Sequence, residues 1–276
     1  MPPEGYDRGA LYTKEDINNA LAAETAEERK RIVPSEDRSG HGTAVAGIMA
    51  GNGSSSGGVN RGAAPGSELL VVKMGMTNGG GFPRTTELML GLDFVIREAI
   101  HAGKPVAVNV SFGNSYGAHD GSSLLESYID TVSQIWKNNI IIAAGNNAVS
   151  AGHFRAVMIS EKTLDADISV SEYERSLNVQ IWKYYGDEAD IENYQPSGES
   201  SGQIKKILGP QRFRLENTEI LLYYGEPAPY SINQEIYIDF IPQRQYLASG
   251  IWTIRLLPGR DYQEGYSDVA SNGRGF

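Results

Sequence analysis

Three short stretches constrain the fold of this 276-residue chain more than any other feature. Residues 68–74 (ELLVVKM), 105–110 (PVAVNV) and 139–144 (NIIIAA) are almost wholly apolar and too short for stable helices. As strands, runs of this kind are buried on both faces. Two segments of helical period lie between them. Leu88, Leu92, Val95, Ile96 and Ala99 recur at helical spacing in residues 86–102. Leu125, Tyr128, Ile129, Val132 and Trp136 do the same in residues 122–136. Strand, helix, strand, helix, strand predicts an α/β core, a parallel sheet covered by helices on both sides.

Two more helices are expected before that core. Residues 15–31 are polar and Ala-rich and read as one exposed helix. Residues 41–50 are small and apolar and read as a buried helix. Near Ser150 the pattern changes to period 2. Leu177, Val179 and Ile181 alternate with Asn178, Gln180 and Trp182. Ile236, Ile238 and Phe240 alternate with Tyr237, Asp239 and Ile241, and Trp252, Ile254 and Leu256 with Thr253 and Arg255. Turn clusters such as PSGESSG, GEPAP and LPGR separate these runs. This is the pattern of an antiparallel β-sandwich. The expected organisation is therefore an α/β domain over residues 1–150 and a β-sandwich over 151–276.

Charge and composition exclude several classes. The chain has 24 Lys+Arg against 34 Asp+Glu, a net charge of −10, which argues against a nucleic-acid partner. It has no cysteine, so disulfides, thiol catalysis and Cys-ligated zinc are ruled out. No apolar run approaches about 18 residues, so no membrane span is expected. The first residues show no charged-then-apolar leader pattern, and the compartment stays open. The histidines, candidates for acid–base work, are His41, His101, His119 and His153.

The strongest local signal is SGHGTAVAGIMAGNG, residues 39–53. It puts His41 at a loop-to-helix start, flanked by Gly40 and Gly42. An unperturbed histidine titrates at about 6.5, near the range a general base needs. By itself the residue also fits a core histidine at a helix start. A second signal, NVSFG, follows the apolar run at 105–110 directly. In the third, NIIIAAGNN, Asn146 stands at the C-terminal edge of a strand, where α/β sheets carry their sites. A side-chain amide there can donate to a developing oxyanion. Alone, Asn146 also fits a turn position of positive φ.

Taken together and in order, these stretches resemble the subtilisin-like serine proteases, the subtilases. SGHGTAVAGIMAG is similar to the family's catalytic-His motif, which implies that His41 is the general base. GAAPGSELLVVKM (residues 62–74) resembles the strand that follows it. VNVSFG resembles the substrate-binding segment, so Ser111, Phe112 and Gly113 would pair with an extended polypeptide substrate and wall a side-chain pocket. IIIAAGNN resembles the oxyanion motif, which implies Asn146 as donor and Ala143, Ala144 and Gly145 as the opposite wall.

The family's Asp and Ser settings have no match. Asp7 and Asp37 lack a preceding apolar strand, and no Gly-Thr-Ser stretch follows Asn146. The expectation is an internal portion of a serine endopeptidase, inactive alone. The alternative is a catalytically dead subtilase-like regulator or binding module. Residues 2–21 and the β-rich region resemble a clostridial branch that includes spore-germination proteases and inserts a jelly-roll domain between the Asn and Ser motifs. Aromatics of the β-rich region, Trp182, Tyr184, Tyr185, Tyr194, Tyr223, Tyr224 and Trp252, offer either sugar-stacking faces or core packing. Many subtilases bind Ca²⁺ through loop oxygens. The 51–61 loop has no acidic residue, so no calcium ligand is assigned and no cofactor is expected.

Overall fold

The computed structural model describes residues 2–74, 84–113, 115–146, 151–259 and the backbone of 265–271. Ser150 and the last residue of NIIIAAGNN, Asn147, lie outside the described residues. The chain divides into two compact units, residues 1–71 and 72–276.

The first unit is helical. α1 (Lys14–Ala22) and α2 (Ala26–Ile32) replace the single helix expected over residues 15–31. The break is chemical. Thr13 with Asp16 and Thr25 with Glu28 each form a capping box, in which the Thr side chain accepts the third helical N–H and the carboxylate accepts the cap N–H. A second strong start signal at Thr25 ends the first helix at Ala22. α3 (His41–Ala50) forms as expected, but it is not buried: none of its residues falls in the core, and Ile48 is 74% exposed. Its support within the unit comes from the returning chain. The amides of Gly62, Ala63 and Ala64 donate to the carbonyls of Gly51, Ile48 and Met49. Gly62 is required there, because a Cβ would sit 2.7 Å from the Gly47 carbonyl oxygen.

Residues 68–74 form no strand, contrary to the sequence pattern. Leu69 and Val71 are exposed, and among the described residues no strand is assigned there.

In the second unit, α4 (Thr85–His101) buries Leu88, Leu92, Val95, Ile96 and Ala99, the stripe set by its period. It packs with β1 (Val106–Val110), α5 (Leu124–Ser133) and β2 (Asn138–Ile142) around a small core that includes Val108 and Val110. β1 and β2 are parallel, with Val106 opposite Asn138 and Val110 opposite Ile142.

The rest is antiparallel. β3 (His153–Met158), β4 (Leu164–Val170), β5 (Leu177–Tyr184), β6 (Ala189–Tyr194), β7 (Gly209–Leu215), β8 (Thr218–Tyr224), β9 (Asn233–Pro242), β10 (Gly250–Pro258) and β11 (Gly265–Ser271) make two sheets. Their orders are β4-β10-β6 and β3-β11-β5-β9-β8-β7. The pairings nest, first with last: β3 with β11, β4 with β10, β5 with β9. One core lies between the sheets, built from the inward set of each strand: Val179, Ile181, Ile220, Leu222, Ile238, Phe240, Ile254 and Leu256. Trp252 and Tyr224 belong to this core, and Trp252 meets the Phe240 ring edge-on at 5.1 Å. Neither ring is available for stacking on a ligand.

Charged residues are buried as well, Lys183 and Asp187 among them. Lys183 is 1% exposed, and its ammonium donates to the carbonyls of Tyr184 and Asp187. Burial, reinforced by the charge of Lys206, lowers its pKa from 10.5 to about 8. Below about 8, Lys183 is protonated in both the folded and unfolded states. Between about 8 and 10.5 the unfolded chain binds more protons than the native one, so stability must rise with pH in that window. Urea unfolding from pH 7.5 to 10 is expected to show this rise in the native chain and to lose it in Lys183→Met. Parallel pH dependence in the two proteins would count against it.

Candidate functional site

The parallel register of β1 and β2 decides the geometry on the second unit. Val110 and Ile142 are opposite one another, so both strands end at the same level. The Ala143 amide donates to the Val110 carbonyl at 3.1 Å and carries the ladder one step further. Ser111, Phe112 and Gly113 therefore leave β1 beside Ala143, Ala144, Gly145 and Asn146 leaving β2. The two segments that the motifs single out emerge together at the C-terminal edge of a parallel pair, where α/β sheets place ligands.

The details of each wall follow from local sequence. The Asn109 amide donates to Ser111 Oγ at 2.8 Å, which holds the start of the first wall. Phe112 is half-buried and packs on the core beneath α4, so its ring anchors this segment as well as lining it. Ala143 to Asn146 are exposed. Gly145 has φ +90°, a left-handed conformation natural to glycine, and the turn is made there. Asn146 itself is not among the described residues of positive φ, so the turn does not explain the choice of asparagine.

His41 belongs to the first unit. It is the first residue of α3 and is exposed. Gly40 precedes it as N-cap with φ +74° and no side chain to offer. The capping comes instead from Asp37, a residue the sequence reading set aside. Its Oδ1 accepts from the amides of Ser39 and Gly40 and from the Ser39 hydroxyl. Its Oδ2 accepts from the Thr43 amide at 2.8 Å and the Thr43 hydroxyl at 2.7 Å. These bonds, led by those from Thr43, hold the Asp37 carboxyl well below the usual carboxylate range. The Ser39 hydroxyl in turn accepts the His41 amide at 3.2 Å. Asp37 thus clamps residues 37–43 and sets where His41 begins its helix. The available signal was an acidic residue six positions before a helix-start Thr, with Ser and Gly between.

The segment beyond Phe112 is held by the sandwich. Tyr116 Oη donates to the Asn178 side-chain oxygen at 3.1 Å, and the Gly117 amide donates to Gln180 Oε1 at 2.9 Å. The Asn233 amide donates to Asp120 at 2.7 Å, and the Ser122 and Ser231 hydroxyls pair at 3.2 Å. The Gln180 amide is oriented from behind, since its Nε2 donates to Glu235 Oε1 at 2.7 Å. Burial raises the Glu235 carboxyl above its ordinary value. The sequence pattern assigns Gln180 to a solvent face. It is buried instead, and the Gly117 amide of the 115–123 segment reaches it there.

Among the described residues, no three His, Asp or Glu side chains gather as a metal-holding group, and no helix is long and apolar enough to cross a membrane.

Asp37 generates a prediction. Its folded pKa is lowered, so its contribution is present above the ordinary carboxylate range and fades as pH falls through the folded value. Amide exchange at Gly40 and Thr43 is expected to quicken in Asp37→Ala relative to the native chain at pH 6. The difference should narrow as the buffer is acidified. Equal exchange in both proteins at pH 6 would refute the clamp.

Comparison with known proteins identifies the family. A family model described as the subtilase family matches residues 6–223. Among solved structures, the chain is similar to the CspB protease of Clostridium perfringens, at 34% sequence identity and a TM-score of 0.81. The match covers 95% of this chain and 55% of that one, so the chain spans about half the length of the solved relative.

Proposed function

The chain belongs to the subtilase family, and from that premise we propose that it carries part of the machinery of a serine-type endopeptidase acting on polypeptides. In this reading His41 is the general base and Asn146 the oxyanion donor. A serine hydroxyl attacks the scissile carbonyl while the His41 imidazole takes its proton. The same proton then passes to the leaving amine. An Asp holds the His41 ring in the tautomer this requires. As the carbonyl oxygen gains charge, the Asn146 side-chain amide donates to it, a contribution of about 3–4 kcal/mol in such sites. Substrate lies extended along Ser111, Phe112 and Gly113, recognised through its backbone as an added strand, with Ala143, Ala144 and Gly145 opposite.

The observation that carries this reading is the shared exit of the two walls from β1 and β2, opposite Val110 and Ile142. An oxyanion donor beside a strand-like binding edge is what acyl transfer to a serine needs. In this reading the chain carries neither the catalytic Ser nor the catalytic Asp of the family. Those groups would come from polypeptide other than these residues, and this chain alone is expected to be inactive. Residues 1–150 form the partial catalytic portion and 151–276 a jelly-roll-like domain placed between the Asn and Ser motifs. The nested pairing of β3 with β11, β4 with β10 and β5 with β9 supports that assignment.

Two measurements test the reading. The 276-residue chain is expected neither to react with a fluorophosphonate probe nor to cleave chromogenic peptides. In a protein that joins it to the catalytic Ser and Asp, Asn146→Ala is expected to lower kcat about 10²–10³-fold with KM little changed. Probe labelling of the chain alone would sink the first expectation, and an unchanged kcat the second.

A further inference from the structure

The sandwich holds one residue of the 115–123 segment by its backbone. The Gly117 amide donates to Gln180 Oε1 at 2.9 Å, and the Trp182 indole N–H donates to the same oxygen at 3.3 Å. At the other end of the Gln180 amide, Nε2 donates to Glu235 Oε1 at 2.7 Å. We propose that Gln180, oriented by Glu235, is a positioning residue for the substrate-binding wall at Ser111, Phe112 and Gly113. This role rests on the protease reading, since the wall meets substrate only there.

Strand register brings the pair together. Gln180 on β5 is opposite Tyr237 of β9, and Glu235 is opposite Trp182. Gln180 and Glu235 are therefore diagonal neighbours on one face of the sheet, within reach of long side chains. The direction of the amide follows from its partners. Its oxygen has two lone pairs, and each meets an N–H group that can only donate. A flipped amide would turn its NH2 toward those two donors and its oxygen toward the acceptor oxygen of Glu235. Glu235 thus keeps the Gln180 oxygen aimed at Gly117. Gln180 is buried, and a donor that loses its acceptor in such a place is left at a cost in stability.

The wall is close to this tether along the chain. Gly117 follows Gly113 by four residues, which reach at most about 14 Å when fully extended, so little slack can absorb a displacement. On its near side the wall is held by the Asn109 bond to Ser111 and by the Phe112 ring on the core beneath α4. On its far side it is held by Gly117 on Gln180 and by Tyr116 on Asn178, both residues of β5. It hangs between an apolar anchor and a polar one. A polypeptide bound through its backbone as an added strand needs that wall at a fixed level.

Two readouts test the role. In the 276-residue chain, Gln180→Ala is expected to speed exchange of the Gly117 amide at least about tenfold and to shift the amide resonances of Ser111, Phe112 and Gly113. Gln180→Glu sets two carboxyl groups against each other and should act in the same direction. Gln180→Glu combined with Glu235→Gln restores an acceptor toward Gly117 and a donor behind it, and should return both signals toward native. In a protein that joins the chain to the catalytic Ser and Asp, Gln180→Ala is expected to raise KM for an extended peptide about tenfold with kcat little changed, and the combined variant to recover it. Thr253→Ala, which removes a hydrogen bond to Asp167 on the other sheet, should leave every signal as in the native chain. Unmoved resonances of residues 111–113 in Gln180→Ala, or a combined variant no better than Gln180→Glu, would overturn the positioning role. A joined protein that cleaves nothing while the exchange results hold would support the positioning of the wall and overturn the protease reading.

Discussion

The arrangement of this protein's candidate site depends on a backbone register. β1 and β2 run parallel with Val110 opposite Ile142, and the Ala143 amide adds one more rung. Parallel strands cannot be joined by a tight turn, so a crossover must intervene, and α5 supplies part of it. Because the strands point the same way, their C-terminal ends coincide, and whatever follows them is brought together. A slip of one residue would turn every side chain of β2 to the other face and move Ala143 away from the level of Ser111. Val108 and Val110, buried against α4, oppose such a slip.

From that edge outward, the site is held by polar contacts made with distant parts of the chain. The segment after Phe112 has few apolar residues of its own to anchor it. It is fixed by hydrogen bonds to Asn178, Gln180, Ser231 and Asn233, on strands and turns of the sandwich. These partners sit on the outer face of a sheet whose inner face is an ordinary apolar core. The β-rich region therefore has a structural part in shaping the site, apart from any ligand of its own. The burial of Trp252 and Tyr224 in that core agrees with packing, not sugar stacking, as their task.

Helix α3 shows a different economy. Its apolar composition suggested burial, yet the polar residues before it settle its position. Asp37 gathers five hydrogen bonds from Ser39, Gly40 and Thr43. By position Asp37 resembles a catalytic candidate, but its contacts make it a cap. Thr25 with Glu28 likewise starts a new helix inside a stretch whose composition reads as one.

By itself, the sequence determined what depends on near neighbours: the stripe of α4, the inward sets of β5, β9 and β10, and the motifs around His41, Ser111 and Asn146. Those features follow from side-chain period and local chemistry. Only the tertiary structure decided which residues distant in sequence would meet. It left residues 68–74 without a strand, although their apolar pattern is that of one. It buried Gln180 on a face that alternation assigns to solvent. It also set His119 beside His153, since hydrogen bonds to the sandwich hold the 115–123 segment that carries His119.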